Sequence, residues 1–207
     1  MSVLLIGSEG SMGKRYQSIL RFLGKEFVRA DKQHQKKQIR AMAENSEGVI
    51  IATPTETHAD FIRLTLSLGV PVMCEKPIIK NTAELRELMK MVSSTGTKFS
   101  MMNQYKMLAT RAAVGVTSYD YFRHGNDGLV WDCIQVIGLA TGDVTLKEES
   151  PYWKCKINGR PLHVEHMDHA YVEYVRQWFQ NPTQDLGEIV AVHEKTADFE
   201  RTLNGRS

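Results

Sequence analysis

The glycine-rich segment Gly7-Ser-Glu-Gly10-Ser-Met-Gly13 has the residue types and spacing to hold phosphate groups. It follows a short apolar run and precedes a helical repeat of apolar residues, which places it in a strand-to-helix turn. Glycines there let the chain turn sharply, keep side chains away from a diphosphate, and allow the helix to pack closely on the strand. The backbone N–H groups and the positive end of the helix dipole would face the phosphates. We expect seven residues to form this site: Gly7, Ser8, Glu9, Gly10, Ser11, Met12 and Gly13.

An acidic residue follows the second predicted strand, where a dinucleotide would place its adenosine ribose. Asp31 comes eighteen residues after the last glycine of the turn. A carboxylate at this position accepts hydrogen bonds from the ribose hydroxyls and favours NAD. Three nearby lysines, Lys32, Lys36 and Lys37, leave NADP open. The turn reads GxxGxxG, with Ser8 where the commoner GxGxxG has its first glycine.

The elements that position these residues are predicted by the alternation of apolar runs and amphipathic stretches. This alternation is typical of right-handed crossovers in a parallel sheet. Five strands are expected, over residues 2–6, 27–30, 48–52, 70–74 and 98–102. Thr57 and Asp60 have the spacing of a capping box for the helix after the third strand. The fold class is therefore α/β, with a Rossmann-like parallel sheet.

The alternation stops near residue 115, which indicates a second region of different architecture. Residues 153–157 and 160–163 flank Asn158-Gly159 and predict a hairpin, in which Pro161 makes the returning strand an edge. Two helices are expected over residues 165–180 and 186–203. We expect a Rossmann domain over residues 1–115 and a small α+β domain over residues 116–207.

Composition excludes several classes of protein. The chain has 207 residues, 42% of them hydrophobic, and a net charge of +2, which argues against disorder and nucleic-acid binding. We identify no apolar run long enough to cross a membrane and no signal peptide, so a cytoplasmic protein is expected. The three cysteines are widely spaced and fit neither a disulfide framework nor a zinc site.

Four further segments carry a resemblance to a known family. They are Ile50-Ile-Ala-Thr-Pro-Thr-Glu-Thr-His58, Leu66-Ser-Leu-Gly69, Val72-Met-Cys-Glu-Lys-Pro77 and Asn103-Gln-Tyr-Lys106. In this order, and together with the glycine turn, they resemble the Gfo/Idh/MocA family of nicotinamide-dependent oxidoreductases. The resemblance implies a Rossmann domain that binds NAD or NADP, and it covers about residues 1–110.

The resemblance also implies roles for individual residues. Lys76 would be the catalytic residue, since it follows the fourth parallel strand and emerges at the carboxyl end of the sheet. Its ammonium would stabilise alkoxide charge on the substrate during hydride transfer. Glu75 would orient Lys76 or the cofactor ribose, and Thr53 and Pro54 would line the nicotinamide. The peptide between Lys76 and Pro77 is expected to be cis.

Two departures from the family pattern concern the second region. Asp132 matches the first residue of the family's Asp-x-x-x-His pair and is expected to be catalytic, but Val136 stands in place of the histidine. Neither Val136 nor the adjacent Gln135 can transfer a proton near neutral pH. Other histidines, such as His124 or His163, are open as replacements, whereas no metal site is expected from His163, His166 and His169. The second region is also shorter than in the family, and its incomplete sheet leads us to expect a homodimer.

These observations lead to one hypothesis and one alternative. The chain is expected to be an NAD(P)-dependent oxidoreductase that acts on a hydroxyl or carbonyl of a sugar, polyol or sugar nucleotide. The alternative is a catalytically inactive dinucleotide-binding module with a structural or regulatory role. The intact Glu75-Lys76-Pro77 segment favours the enzyme, and Val136 favours the module.

Overall fold

The computed structural model describes residues 1–111, 119–122, 129–142, 144–147, 154–157, 159–162 and 164–205. By its internal contacts the chain divides into two compact units. The first unit comprises residues 1–102 and 175–190, and the second unit comprises residues 103–174 and 191–207. The chain thus returns to the first unit after residue 174, whereas the sequence indicated a single division near residue 115.

The first unit is built on a parallel sheet of five strands. The strands are β1 (Ser2–Ile6), β2 (Phe27–Ala30), β3 (Ser46–Ile51), β4 (Val72–Cys74) and β5 (Phe99–Met101), in the order β2-β1-β3-β4-β5. The residues of β4 and β5 are all buried, as expected for strands covered by helices on both faces. The predicted Rossmann-like α/β fold is confirmed.

Four helices connect these strands: α1 (Ser11–Phe22), α2 (Lys36–Glu44), α3 (Thr55–Thr65) and α4 (Thr82–Thr95). The predicted capping box of α3 is wrong. The helix begins two residues before Thr57, with Pro54 as its N-cap, and the Thr57 hydroxyl instead donates to the Pro54 carbonyl at 2.8 Å. Proline fits this boundary, because its fixed φ suits a helix start and its missing N–H is not needed there.

The returning segment of the first unit covers the outer edge of β5. The Gln184 amide N–H donates to the Phe99 carbonyl at 3.0 Å, and the Gln184 side-chain oxygen accepts from the Met101 N–H at 3.0 Å. The Ser100 hydroxyl donates to the Pro182 carbonyl at 2.7 Å. These bonds satisfy backbone and side-chain groups that would otherwise be unpaired at this edge of the sheet.

The second unit contains a mixed sheet of four strands among the described residues. The strands of this sheet are β6 (Tyr119–Phe122), β7 (Val144–Lys147), β8 (Lys154–Ile157) and β9 (Arg160–Leu162). In the described part of this unit, three short helices lie before β7 in the chain: α5 (Tyr105–Arg111), α6 (Leu129–Asp132) and α7 (Ile134–Leu139). The order β7-β6-β8-β9 confirms the predicted hairpin, with β9 at an edge and Gly159 at φ 74°. Two helices follow, α8 (Val164–Gln180) and α9 (Leu186–Asn204).

Within the described ranges, no helix has both the length and the apolar character needed to span a bilayer. The same ranges hold no cluster of three or more potential metal ligands. His124 and His163, which the sequence left open for proton transfer, lie outside the residues that the structure describes.

Candidate dinucleotide-binding and catalytic site

The glycine turn between β1 and α1 has no room for side chains at two of its positions. A Cβ atom at Gly7, where φ is +86°, would lie 2.7 Å from the Ala52 carbonyl oxygen. A Cβ atom at Gly13 would lie 2.1 Å from the Gly7 carbonyl oxygen, so this glycine allows the helix to approach the strand. At Gly10 the nearest atom would be 3.6 Å away, which leaves an open approach to the backbone. This geometry fits a diphosphate that passes over Gly10.

The start of α1 supplies the groups that bind an anion. Gly10 is the N-cap, and no acidic residue stands in the first turn. The N–H groups of Ser11, Met12 and Gly13 belong to this first turn, so they have no acceptor within the helix. Free N–H groups and the helix dipole together attract phosphate oxygens.

Asp31 lies at the end of β2 and hydrogen-bonds the glycine turn. Its carboxylate accepts from the Ser8 hydroxyl and, at 3.0 Å, from the Glu9 backbone N–H. A carboxylate has about four lone-pair sites, so two of them stay available for the hydroxyls of a ribose. The sequence indicated Asp31 but not the bond from Ser8, which fixes the orientation of the carboxylate.

The carboxyl ends of the neighbouring strands bring the other predicted residues to the same edge of the sheet. The ladder continues past β3 and β4, because the Ala52 N–H donates to the Ile6 carbonyl at 2.8 Å and the Glu75 N–H donates to the Ile51 carbonyl at 2.9 Å. The side chain of Thr53 lies beside the glycine turn, with its Cγ2 2.9 Å from the position of a Cβ on Gly7. Pro54, next in the chain, is exposed.

Glu75 is buried, and protein groups engage both oxygens of its carboxylate. The Tyr16 hydroxyl of α1 donates to Oε1 at 2.6 Å, and the Lys76 backbone N–H donates to Oε2 at 3.2 Å. Glu75 is 5% exposed and Lys76 is half-buried. The Lys76–Pro77 peptide is cis, as the resemblance implies. The sequence did not indicate the bond from Tyr16, although a buried phenol generally has a hydrogen-bond partner.

His58 connects the ends of β3 and β4. It is the fourth residue of α3 and only 1% exposed. Its Nδ1 lies 2.9 Å from the Pro77 carbonyl oxygen, and its Nε2 lies 2.7 Å from the Thr53 carbonyl oxygen. The histidine therefore contacts both backbone segments that the sequence assigned to the nicotinamide site.

Cys74 directly precedes this segment, but it is not a nucleophile. Burial raises the pKa of its thiol well above the ordinary value, and the neighbouring Glu75 carboxylate adds to the rise. A thiol that stays protonated does not attack an electrophile. Cys74 thus acts as a small apolar residue of the sheet.

Asp132 belongs to the second unit, where it is the last residue of α6. It is half-buried, whereas Gln135 and Val136 of α7 are 0% and 1% exposed. The position four residues after Asp132, at which the family commonly has a histidine, is therefore buried in the second unit. The catalytic assignment of Asp132 stays a prediction.

The parallel sheet, the glycine turn and the helix N-terminus above it define a Rossmann-type dinucleotide-binding protein. Residues 21–103 match the Gfo/Idh/MocA family model, which is described as an oxidoreductase family with an NAD-binding Rossmann fold. The chain is 41% identical over 56 residues to the inositol 2-dehydrogenase of Rhizobium meliloti, an alignment that spans 27% of this chain and 17% of that relative. Residues 21–103 thus match the family that the sequence resembles, and the description of that family as NAD-binding agrees with the predicted cofactor, NAD.

Solved structures share the fold at low sequence identity. A probable dehydrogenase from Thermotoga maritima aligns with a TM-score of 0.77 and 11% identity, over 100% of this chain and 98% of that one. The WlbA dehydrogenase from Thermus thermophilus, solved with NAD and UDP-GlcNAcA, aligns with a TM-score of 0.74 and 15% identity. That alignment covers 96% of this chain and 94% of that one.

Proposed function

We propose that this protein is an NAD-dependent oxidoreductase that transfers a hydride between the cofactor and a hydroxyl or carbonyl group of a sugar, polyol or sugar nucleotide. The observation that carries the proposal is the position of Lys76. It follows Glu75, whose N–H bonds the end of β3, at the same edge of the sheet as the glycine turn. Ligands of open parallel sheets bind at this edge.

Similar proteins support the substrate class. The relative with the matching 56-residue segment is an inositol dehydrogenase, which acts on a polyol, and the WlbA structure holds a sugar nucleotide. Both ligands present several hydroxyl groups to the protein. A lysine ammonium, with its three N–H donors, suits the recognition of such groups.

Bound NAD would supply the hydride acceptor, and the chain's own residues would prepare the substrate. Lys76 would donate a hydrogen bond to the reacting oxygen and stabilise the negative charge that develops there as hydride leaves the carbon. Asp31 would hold the adenosine ribose, and the turn from Gly7 to Gly13 would hold the diphosphate. Thr53 and Pro54 would line the nicotinamide.

The proton of the substrate hydroxyl needs an acceptor, and Val136 cannot serve. We propose that the neutral amine of Lys76 accepts this proton, and that the ammonium formed by the transfer then donates the hydrogen bond to the reacting oxygen as hydride leaves the carbon. Asp132 is proposed as a second catalytic group on the resemblance alone. Replacement of Asp132 by Asn tests it, because a role in catalysis predicts a lower kcat at unchanged NADH affinity.

The test of the proposed function has two stages. NADH is first titrated calorimetrically into the wild-type chain, and turnover is then followed by NADH absorbance with a panel of sugars, polyols and sugar nucleotides. Lys76→Met should lower kcat by a factor on the order of 10²–10³ and change the Kd for NADH little. Lys80→Met, at an exposed lysine of the next segment, is the matched control.

Two results would contradict the proposal. Absence of NADH binding would remove the dinucleotide site altogether. Tight NADH binding without turnover on any member of the panel would instead support the inactive dinucleotide-binding module.

We also propose that the protein is a homodimer. The support is the small sheet of the second unit, with its edge strand β9. Sedimentation equilibrium should give twice the chain mass of 23.5 kDa, and a monomer at all concentrations would contradict the proposal.

A further inference from the structure

We infer that Tyr16 and His58 are positioning residues for Lys76, and that they fix the Glu75-Lys76-Pro77 segment from both sides. The inference rests on the proposed function and adds to it two residues for which the sequence indicated no catalytic role. Tyr16 belongs to α1 and His58 to α3, so two different helices hold one segment.

Tyr16 acts through Glu75. Its phenol is fully buried and donates to Oε1 of Glu75 at 2.6 Å, while Oε2 of the same carboxylate accepts from the Lys76 backbone N–H at 3.2 Å. A hydrogen bond to an ionised carboxylate is shorter and stronger than one between neutral groups. Glu75 is only 5% exposed, whereas Asp31 is half-buried, so the Glu75 carboxylate is less accessible to a ribose and serves to orient Lys76. Between orienting Lys76 and binding the cofactor ribose, the geometry favours the first.

His58 acts on the other side of Lys76. Its ring lies between the Pro77 and Thr53 carbonyl oxygens, at 2.9 and 2.7 Å from its two nitrogens. A neutral imidazole has one N–H donor and can satisfy one of these carbonyls, whereas the doubly protonated ring satisfies both. The doubly protonated ring joins the end of β3 to the residue that follows Lys76, and the neutral ring bonds one of the two and packs against the other.

The contacts of Tyr16 with Glu75 and of His58 with Pro77 together fix the backbone of Lys76. The backbone of the lysine is held at the residue before it and at the residue after it, while its half-buried side chain extends from a fixed base. The side chain is flexible, so the accuracy of its ammonium depends on this base. Displacement of a catalytic group by about 1 Å can lower a rate on the order of 100-fold.

The kinetic test removes each contact with little change of shape. Tyr16→Phe deletes only the hydroxyl and should lower kcat by about 10–100-fold with the Kd for NADH unchanged. Tyr171→Phe makes the same change at a buried tyrosine of α8 and is the matched control. His58→Leu should lower kcat similarly, and His58→Gln, which keeps amide N–H donors, should retain more activity than His58→Leu.

A structural test does not depend on turnover. Hydrogen exchange of the Lys76 amide, followed by NMR, should be slow in the wild type and faster in Tyr16→Phe, because the carboxylate that accepts from it is no longer fixed. The Tyr171→Phe control should exchange at the wild-type rate.

The two tests separate the inference from the proposed function. If the wild type binds NADH without turnover, the proposed function fails, and the exchange experiment still decides whether the segment is held as inferred. Unchanged kcat in both Tyr16→Phe and His58→Leu, or unchanged exchange of the Lys76 amide in Tyr16→Phe, would overturn the inference. If Tyr16→Phe does not fold, the inference is tested by the kcat values of the two His58 variants. A higher kcat in His58→Gln than in His58→Leu would support the inference, and equal values would contradict it.

Discussion

The two units of the chain differ in how closely they keep the family's pattern. The family model matches residues 21–103 and ends where the second unit begins. In the first unit Asp31, Glu75 and His58 each hydrogen-bond named groups at one edge of the sheet. In the second unit the described residues keep Asp132 but bury a valine at residue 136, where the family commonly has a histidine.

This difference between the two units shows that a cofactor site restricts the amino-acid sequence more strongly than a hydrophobic core does. A cofactor site requires particular residue types. No other residue can replace a glycine at which a Cβ would overlap a carbonyl oxygen, and only a carboxylate offers two charged acceptors to the hydroxyls of a ribose. A hydrophobic core accepts many combinations of apolar residues if their volume and pattern are kept. The chain can therefore share its fold with a solved structure to which it is only 11% identical, in an alignment that covers 100% of the chain.

Substitutions in the glycine turn should have the largest effects on stability and NADH binding. The family model begins at residue 21, so the assignment of this turn as the diphosphate site rests on its geometry. Gly13→Ala should destabilise the fold by about 1–3 kcal/mol, since its Cβ would overlap the Gly7 carbonyl. Gly10→Ala should leave the Tm unchanged and weaken NADH binding at least about tenfold. Thermal unfolding and calorimetry measure both effects, and an unchanged Kd in Gly10→Ala would place the diphosphate elsewhere.

A substitution at Val136 tests the second unit, where the chain departs from the family's pattern. Val136→His restores the family's residue, but it replaces a valine that is 1% exposed with a larger, polar imidazole and should destabilise the protein by about 1–3 kcal/mol without raising kcat. Urea unfolding and steady-state kinetics measure the two quantities. A stable Val136→His variant with increased kcat would show instead that residue 136 reaches the substrate.

Asp31 is the residue of the first unit that we propose as the determinant of cofactor choice. Asp31→Ala should weaken NADH binding roughly tenfold, because hydrogen bonds between the ribose hydroxyls and a charged group are lost. NADPH binding should fall less, since the carboxylate no longer repels the additional phosphate. Competition titrations give the ratio of the two affinities, and an unchanged ratio would refute Asp31 as the residue that binds the ribose.

The smallest expected effect concerns an ion pair away from the site. Lys36 donates a hydrogen bond to Asp60 at 2.9 Å, and this contact lowers the pKa of the carboxyl below its ordinary value. The pair therefore stabilises the folded state at neutral pH, and the stabilisation is lost as the pH falls through the lowered pKa. Both side chains are exposed, so Asp60→Asn should cost about 0.2–1 kcal/mol in urea unfolding at neutral pH. In strong acid the free energies of unfolding of Asp60→Asn and the wild type should be nearly equal. A difference that increases as the pH falls would contradict the lowered pKa of Asp60.

Much of the first unit could be predicted from the sequence because its signals are local. The apolar runs gave the five strands, and the glycine spacing gave the turn next to β1. The contact between Tyr16 and Glu75 joins residues 59 positions apart, and no local pattern reports it. The start of α3 was misplaced because Pro54 competes with Thr57 as a helix boundary, and both are typical of one.

The structure of the chain crystallised with NADH tests the central claim most directly. We expect the diphosphate to lie over Gly10 at the start of α1, the ribose hydroxyls to bind Asp31, and the nicotinamide to lie beside the Lys76 ammonium. A dinucleotide bound elsewhere, or a nicotinamide ring out of reach of Lys76, would contradict it.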